Sequence, residues 1–549
     1  MSIVFKVLKG LLATVKWLSI CLLGFSVILV GVFKVAELKP VKPGGEFVPS
    51  LLLKNVHIVD VETGQLLRDR SVHIENSSIK AIFAASENDS LTGVRSIDGK
   101  GQYLMPGLWE MHGHYAFDLN EFSSMPAAVA NGVLYSRELI GDCIKAGCGM
   151  TMQRSRERAR KIDAAEMVGP YFTSIGSAAV HNPRLTFKQG EQIESPYLAP
   201  TTPEEGRQLA RYVKDRGADF IKPYNTVIPE AYFSMVDEAH KLGLKVGGHM
   251  PKSLSLKQAI AAGQDSIEHG RVVPTACSIH EERYRSAMDQ SVRLNHEEYA
   301  EFKETNTDHL LWPMYREIIE GQDDAICDDV LQTLAASNTY YVPTHLTRLG
   351  EALVHKGEYV SDPSTRTVPD TFLLGWVQEG EKYAGRFAET PGLEQDFYDF
   401  FTLGVELTVK ANAAGVKVLI GTDNGDLMAP AGYGMHDEMW YLSEAGMPNA
   451  DILKAATIRP AEYEGLDATH GSIAVGKKAA MMLLASNPLE DISAFDAIQA
   501  VYHQSRFYDQ AARLALLDIA EYNAKGVRHY LGIGMFALRS IYQNVFASN

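Results

Sequence analysis

From Leu51 onward the chain alternates short apolar runs with longer stretches whose apolar residues recur at helical spacing. Runs such as "YFTSIGS" (171–177), "DFIKPY" (219–224) and "LKVGGHM" (244–250) have the length of strands. Between them, "PEEGRQLARYVKDRG" (203–217) and "EAYFSMVDEAHKLG" (230–243) carry the helical period and end in Gly, where a C-cap glycine belongs. Five more strand candidates complete a set of eight: "YLMPGLWEMHGH" (103–114), "GMTMQRS" (149–155), "DSIEHG" (265–270), "YYVPTHL" (340–346) and "KVLIGTDNG" (417–425). Strands alternating with helices predict a parallel sheet covered by helices, and eight such units predict an α/β fold of the (β/α)8 TIM barrel kind. From about 275 to 338 the chain is helical and charged over more residues than a βα loop needs, which predicts an insertion over one face.

Outside the barrel region the period changes. The β-rich segment from Leu51 to Phe83, with turn residues Thr63-Gly64 and Asn76-Ser77, has a counterpart at 471–486. Together they predict a small β-sandwich domain built from both ends of the folded chain. Before them, Trp17 to Phe33 is an uncharged apolar run with Lys16 and Lys34 at its edges. At 1.5 Å per residue it reaches about 26 Å, enough for a short transmembrane helix. No small-residue cleavage site follows it, so it is expected to remain as an anchor. The short basic N-terminal tail favours an N-in orientation, which puts the rest of the chain outside the cytoplasm, in the periplasm if the host is a bacterium. The expected organisation is an anchor over 1–35, a Pro- and Gly-containing linker over 36–50, the sandwich over 51–105 and 465–510, the barrel over 106–464 and a helical tail over 511–549. Within the tail, "YLGIGMFALRSIYQNVF" (530–546) has apolar residues at helical spacing and suggests contact with a membrane surface or a partner.

Composition narrows the classes. Over 549 residues, 46% hydrophobic and 22% charged side chains describe an ordered globular chain, and a net charge of −16 sets nucleic-acid binding aside. The five cysteines have no CxxC spacing, so neither a disulfide framework nor a Cys-based zinc site is expected. An oligomer is compatible with these numbers but not required by them. A metal would have to be held by His and carboxylates.

Those residues occur at strand ends. Side chains two apart on a strand share a face, so His112 and His114 project together with Gly113 between them. Taken alone, an HxH pair is more often incidental. Lys222, His249, His269 and Asp423 also sit at the ends of strand candidates, and in a parallel barrel such ends converge on one rim. Each has a structural reading as a bonded core histidine or a turn residue, but a lysine among apolar strand residues is rarely buried without a partner. Five of eight ends carrying His, Lys or Asp is more than coincidence supplies.

In this order, with "LMPGLWEMHGH", "DFIK", "AGQDSIEHG", "IGTDNG", "KAATIRPAE" and "GSIAVGK", the chain resembles the metal-dependent amidohydrolase superfamily over about 51–510, in particular its imidazolonepropionase-like and Xaa-Pro dipeptidase-like branch. The resemblance implies two divalent metal ions, zinc first, with Mn, Fe or Co also suited. His112, His114 and Asp423 would hold one and His249 and His269 the other, bridged by Lys222 as a CO2-derived carbamate. It further implies a hydroxide between the metals, Asp423 as catalytic base and acid, and an amide substrate such as a dipeptide or an N-acyl amino acid. Tyr224, Arg271, His181 and His345 are candidates to bind a substrate carboxylate. Gly113 is expected to leave room beside the hydroxide.

The chain departs from the pattern at Arg154-Ser155, where relatives carry Arg-Asp on the second strand, at Ala480 in place of Asp, and at Pro223 after the lysine. Lys252 occupies the place where deaminases of the superfamily carry a Glu, which argues against deamination. A cyclic amide or lactone hydrolase stays open, as does, in another class, a membrane-anchored binding protein without catalysis.

Overall fold

The computed structural model describes residues 16–17, 38, 40–84, 91, 93–117, 120–143, 150–182, 198–294, 296–305 and 314–534. Apart from Trp17, the apolar run to Phe33 lies outside the described residues, as does the tail beyond 534. Among the described residues no helix is long and apolar enough to cross a membrane.

In chain order the strands are β1 (Glu46–Phe47), β2 (Ser50–Asp60), β3 (Gln65–Glu75), β4 (Ser78–Ala84) and β5 (Arg95–Pro106). They continue with β6 (Leu108–Gly113), β7 (Val133–Glu138), β8 (Tyr171–Ile175), β9 (Phe220–Ile221), β10 (Lys245–Gly248), β11 (Ser266–Glu268) and β12 (Tyr340–Val342). The last three are β13 (Met481–Leu484), β14 (Ile498–His503) and β15 (Arg506–Tyr508).

Strands β6 to β8 and β9 to β12 form two parallel ladders. Backbone hydrogen bonds join them into a ring. On one side Ser177 N donates to Phe220 O (3.0 Å) and Asp219 N to Ile175 O (2.9 Å). On the other, Leu419 N donates to Tyr341 O (2.8 Å), Met111 N to Ile420 O (3.1 Å) and Asp423 N to His112 O (3.1 Å), so residues 417–423 act as the eighth parallel segment.

One strand differs from the expectation. "GMTMQRS" is not the second strand: Thr151 caps a helix over Met152–Asp163, its side chain accepting from Arg154 N. A Thr N-cap followed by polar residues with an apolar stripe is a helix start. The second strand is "VLYSRE", β7, all six residues of which are buried, so the polar-out alternation that marks half-exposed strands is missing.

Both chain ends do meet in one sheet, in the order β1-β15-β14-β13-β5-β2-β3-β4. It is continuous rather than two separate sheets, and Leu51, Leu53, Val56 and Ile58 share a core with Met481, Leu483 and Tyr502. The expected linker is partly absorbed: β1 pairs with β15, Val41 is buried in the main core, and Val168 N donates to Val41 O (2.8 Å). Gly45, at φ +65°, permits this seat, since a Cβ there would lie 2.8 Å from Phe507 O.

The predicted insertion contains helices over Val272–Ala276, Glu281–Arg293, His296–Thr305, Tyr315–Glu320 and Asp324–Ala335. Unlike the expectation from cysteine spacing, Cys277 and Cys327 form a disulfide, because the fold returns the chain to its starting point 50 residues later. A second helical excursion, after β12, comprises helices over His345–Leu353, Asp370–Glu389 and Leu393–Ala413. The two excursions share an apolar cluster in which Tyr315 stacks on Phe400 at 4.0 Å. The C-terminal helices, Gln510–Ala524 and 526–534, bury Leu516, Leu517 and Ala520 and expose Leu514, Ile519, Tyr522, Val527, Tyr530 and Leu531.

Helices Pro203–Asp215 and Pro229–Lys241 cross so closely that a Cβ on Gly206 would lie 2.3 Å from Ala231 O and 2.5 Å from Ser234 Oγ. The obstruction is partly backbone and cannot rotate away. Gly206→Ala is expected to cost about 1–3 kcal/mol, read as a lowered Tm in thermal unfolding; an unchanged Tm would show that the pair separates freely.

Candidate metal centre

Strand β6 delivers the first two imidazoles. His112 is almost fully buried; its Nδ1 faces Glu268 Oε2 at 3.0 Å, leaving Nε2 to face Asp423 Oδ1 at 3.6 Å and Lys222 Nζ at 3.2 Å. His114 Nε2 stands 2.9 Å from Asp423 Oδ1. Among the described residues, His112, His114 and Asp423 offer ligand atoms that all lie within 4.8 Å of one another. His269 packs on His112 with ring centroids 4.9 Å apart, and His249 on His269 at 4.1 Å. All six expected metal ligands therefore meet at one end of the barrel.

Three features fit this cluster to divalent cations. Thr344 Oγ1 lies 2.9 Å from His269 Nδ1, while His269 Nε2 and His249 Nδ1 are buried without a partner. A polar partner on one ring nitrogen and a free opposite nitrogen is how a ligating imidazole is oriented. Burial and the neighbouring Lys222 charge hold His112 down to about 4, so it is neutral with a lone pair to give. Burial also draws Lys222 down to about 8, giving an amine nucleophilic enough to take up CO2. Burial pushes Asp423 up, but His112, His114 and His269 outweigh it and keep the carboxylate ionised below its usual range.

Strand ends place these groups at a conformational cost. His269 (φ 78°), Thr344 (φ 44°) and Asp423 (φ 61°) all occupy the left-handed region, which non-glycine residues rarely enter and which concentrates at functional sites.

A buried polar scaffold lies beneath them, and the sequence reading missed it. Glu110 accepts from His112 N (3.0 Å), Thr422 N (2.8 Å) and Thr422 Oγ1 (2.5 Å), tying the first strand to the eighth segment; burial pushes it up to about 7. Asn424 Oδ1 accepts from His114 N at 2.8 Å. Arg137, fully buried, donates to Met111 O, Ser266 Oγ and Glu268 Oε1, each at 2.7 Å. Burial works to raise Glu268, but Arg137 and then His112 outweigh it and hold the carboxyl at about 2. The Arg-carboxylate pair expected at Arg154-Ser155 is thus supplied by Arg137-Glu138, and Ser155 instead bonds Gly141 O from its helix. A charged pair inside the apolar "VLYSRE" was the available signal. Gly113 also has a different role: a Cβ there would strike Ser136 Oγ at 2.1 Å and approach Glu138 Oε1 at 3.0 Å, so it permits close strand packing rather than space beside the ligands.

The candidate substrate residues divide. Tyr224 is sandwiched between His181 (4.4 Å) and His249 (4.1 Å) and lines, with His112, His114, Lys222 and Asp423, an open cavity of about 880 Å³. Arg271 lines a neighbouring pocket. His345 is fully buried with Nε2 3.0 Å from Thr408 Oγ1; it packs behind the rim because its strand has already turned into a helix.

The family model described as Amidohydrolase family matches residues 103–504. The chain belongs to the amidohydrolase family. It is accordingly a hydrolase acting on carbon–nitrogen bonds, and the resemblance read from its strand-end motifs is borne out. The ochratoxinase of Aspergillus niger is 23% identical over 444 residues, 73% of this chain and 74% of that protein. Among solved structures, a bottromycin amidohydrolase matches at TM-score 0.62 and 17% identity, covering 91% of this chain and 94% of that one. An Xaa-Pro dipeptidase with methionine bound in its active site matches at TM-score 0.57 and 18% identity, over 84% of this chain and 100% of that one. At such identities the structural likeness speaks for the fold.

Arg137 is the counter-charge for a carboxylate that orients a metal ligand in this amidohydrolase. Arg137→Met should destabilise by about 3–5 kcal/mol, because it strands Glu268 without a partner. Arg137→Met combined with Glu268→Gln should recover a substantial part of the lost Tm; equal Tm losses in the single and double variants would refute the coupling.

Proposed function

We propose that the protein hydrolyses an amide bond in a dipeptide or an N-acyl amino acid, using two divalent metals. The observation that carries this reading is the convergence of His112, His114 and Asp423 with Lys222, His249 and His269 on one rim beside an open cavity. His112, His114 and Asp423 would hold one ion and His249 and His269 the other, with Lys222 bridging after its neutral amine adds CO2 and releases a proton. When bound, the metals supply Lewis-acid polarisation of the amide carbonyl and lower the pKa of water toward neutrality.

The chain's own groups do the rest. Asp423, within 2.9 Å of His114 and 3.6 Å of His112, is placed to take the proton of the attacking water and return it to the leaving amine nitrogen. Glu268 and Thr344 fix the imidazole orientations. Phe117, Ile140 and Phe372 give the open cavity apolar wall on which the substrate body can lie. Metal-loaded protein should turn over members of a panel of Xaa-Pro dipeptides, Xaa-Arg dipeptides and N-acyl amino acids. Asp423→Asn should lower kcat by about 10²–10⁴ and Lys222→Ala should lower metal content. No turnover anywhere in the panel would sink the proposal.

We also propose that Trp17 to Phe33 anchors the enzyme in a membrane with its catalytic part outside the cytoplasm. Two observations support this reading beyond the apolar run. The Cys277–Cys327 disulfide suits an oxidising compartment. The C-terminal helices expose Leu514, Ile519, Tyr522, Val527 and Tyr530 directly after β15, the strand that receives the entering chain at β1. Full-length protein should stay in the membrane fraction through an alkaline wash, and protein beginning at residue 38 should be released; recovery of both in the soluble fraction would overturn the proposal.

A further inference from the structure

Beside the metal centre, and separate from the open cavity, a narrower pocket of about 480 Å³ is lined by His249 and His269 on one side and by Lys252, Arg271, Tyr284 and Arg285 on the other. Its polar groups are unsatisfied to an unusual degree. Arg271 makes no hydrogen bond or ion pair among the described residues, and its Nε is buried. Lys252 likewise has no side-chain partner among them. The Tyr284 hydroxyl is buried without a partner on a side chain that is 4% exposed, and Arg285 Nε is buried and unpaired although its other end meets Glu282. The carboxylates nearby are otherwise engaged: Glu268 by Arg137 and His112, and Glu281 by the Leu256 amide and the Arg285 charge.

Buried polar groups are normally bonded, and buried charges normally paired, because desolvation without compensation is expensive. Here two cations, a phenol and a guanidine N–H converge with nothing from the protein to receive them. Burial, with Arg271 and Arg348 close by, draws Lys252 down to about 7, as expected of an ammonium crowded by like charge. On the other side of the metal ligands, the open cavity carries Asp423 and Asp426. The site is therefore polarised, negative toward the open cavity and positive toward the narrow one.

We propose that the narrow pocket is the recognition site for a carboxylate on the substrate, and that Lys252, Arg271 and Tyr284 make the enzyme selective for amides in which one half bears an acidic group. This rests on the amide-hydrolase reading and adds to it a substrate class. The carboxylate has two sources, an aspartyl or glutamyl side chain or a terminal α-carboxylate, and both present the same two acceptor oxygens to the same donors. Lys252, Tyr284 and Arg285 come from the turn after β10 and from the insertion. Selectivity thus arises from segments that hold none of the expected metal ligands.

The test uses metal-loaded full-length protein and three matched substrates: an Xaa-Glu dipeptide, its Xaa-Gln counterpart and the Xaa-Glu α-amide. The wild type should prefer the acid over at least one neutral counterpart by about tenfold or more in kcat/KM, through KM. Lys252→Met and Arg271→Met should each collapse that ratio toward one, and Tyr284→Phe, the variant least able to disturb folding, should reduce it. Loss of the ratio against Xaa-Gln assigns the pocket to a side-chain carboxylate, and loss against the α-amide assigns it to the terminal one. Calorimetric titration with glutarate reads binding independently of turnover and should show weakening by about tenfold in Lys252→Met. If no amide is hydrolysed but glutarate binds and Lys252→Met weakens it, the pocket stands while the reaction assignment falls. Equal kcat/KM for all three substrates, or glutarate affinity unchanged in both methionine variants, would overturn the proposal.

Discussion

The structure depends on one ion pair placed where a barrel can least afford a charge. Arg137 and Glu268, both fully buried, face each other at 2.7 Å in the barrel interior. Neither charge would be tolerated alone in that setting. Together they join three strands: Arg137 rises from β7, reaches the carbonyl of Met111 on β6, and meets Ser266 and Glu268 on β11. Glu268 then passes the constraint to the chemistry by holding His112 Nδ1. The pair sets which nitrogen His112 turns toward the other ligands, and it does so from a position that substrate does not reach.

Beneath the rim, the scaffold repeats that logic with backbone donors. Glu110 ties the histidine strand to Thr422, one residue before Asp423, so the first and eighth segments are locked in register where each delivers a ligand. Ligand positions are thereby fixed to the ring's closure rather than to loop conformation, as a site requiring sub-ångström placement demands. The three left-handed backbones at His269, Thr344 and Asp423 are held by this over-determined setting; each turns the chain sharply off its strand and aims a polar side chain inward.

Much of this was legible in the sequence, and the exceptions share a physical origin. The ligands were readable because each follows an apolar run and strand ends converge in any parallel barrel. The second strand was not: "VLYSRE" is buried on both faces, so it lacks alternation, and its charges belong to the interior. "TMQRS" drew attention through its arginine, although Thr151 and the apolar stripe at Met152, Ser155 and Ile162 mark a helix. His345 lies one residue past the end of strand-like backbone, and that offset turns a rim residue into a packed one. The disulfide could not be foreseen because its partners are neighbours only after the insertion has folded back. Lys252 was noticed for what it is not, a deaminase glutamate; its unpaired state emerges only with three-dimensional neighbours.

The disulfide also bears on how the chain can change over time. Cys277 and Cys327 have Cα atoms 4.3 Å apart, so the excursion between them leaves the barrel and rejoins it at nearly the same point. Its net displacement is close to zero whatever its length or sequence. Barrel closure therefore places almost no demand on the segment that carries Tyr284 and Arg285, while the metal-binding residues sit on strand ends that cannot move. Substitution, lengthening or replacement of the excursion alters the wall against which a substrate is measured and leaves the hydrolytic centre geometrically untouched, separating what the enzyme selects from what it does.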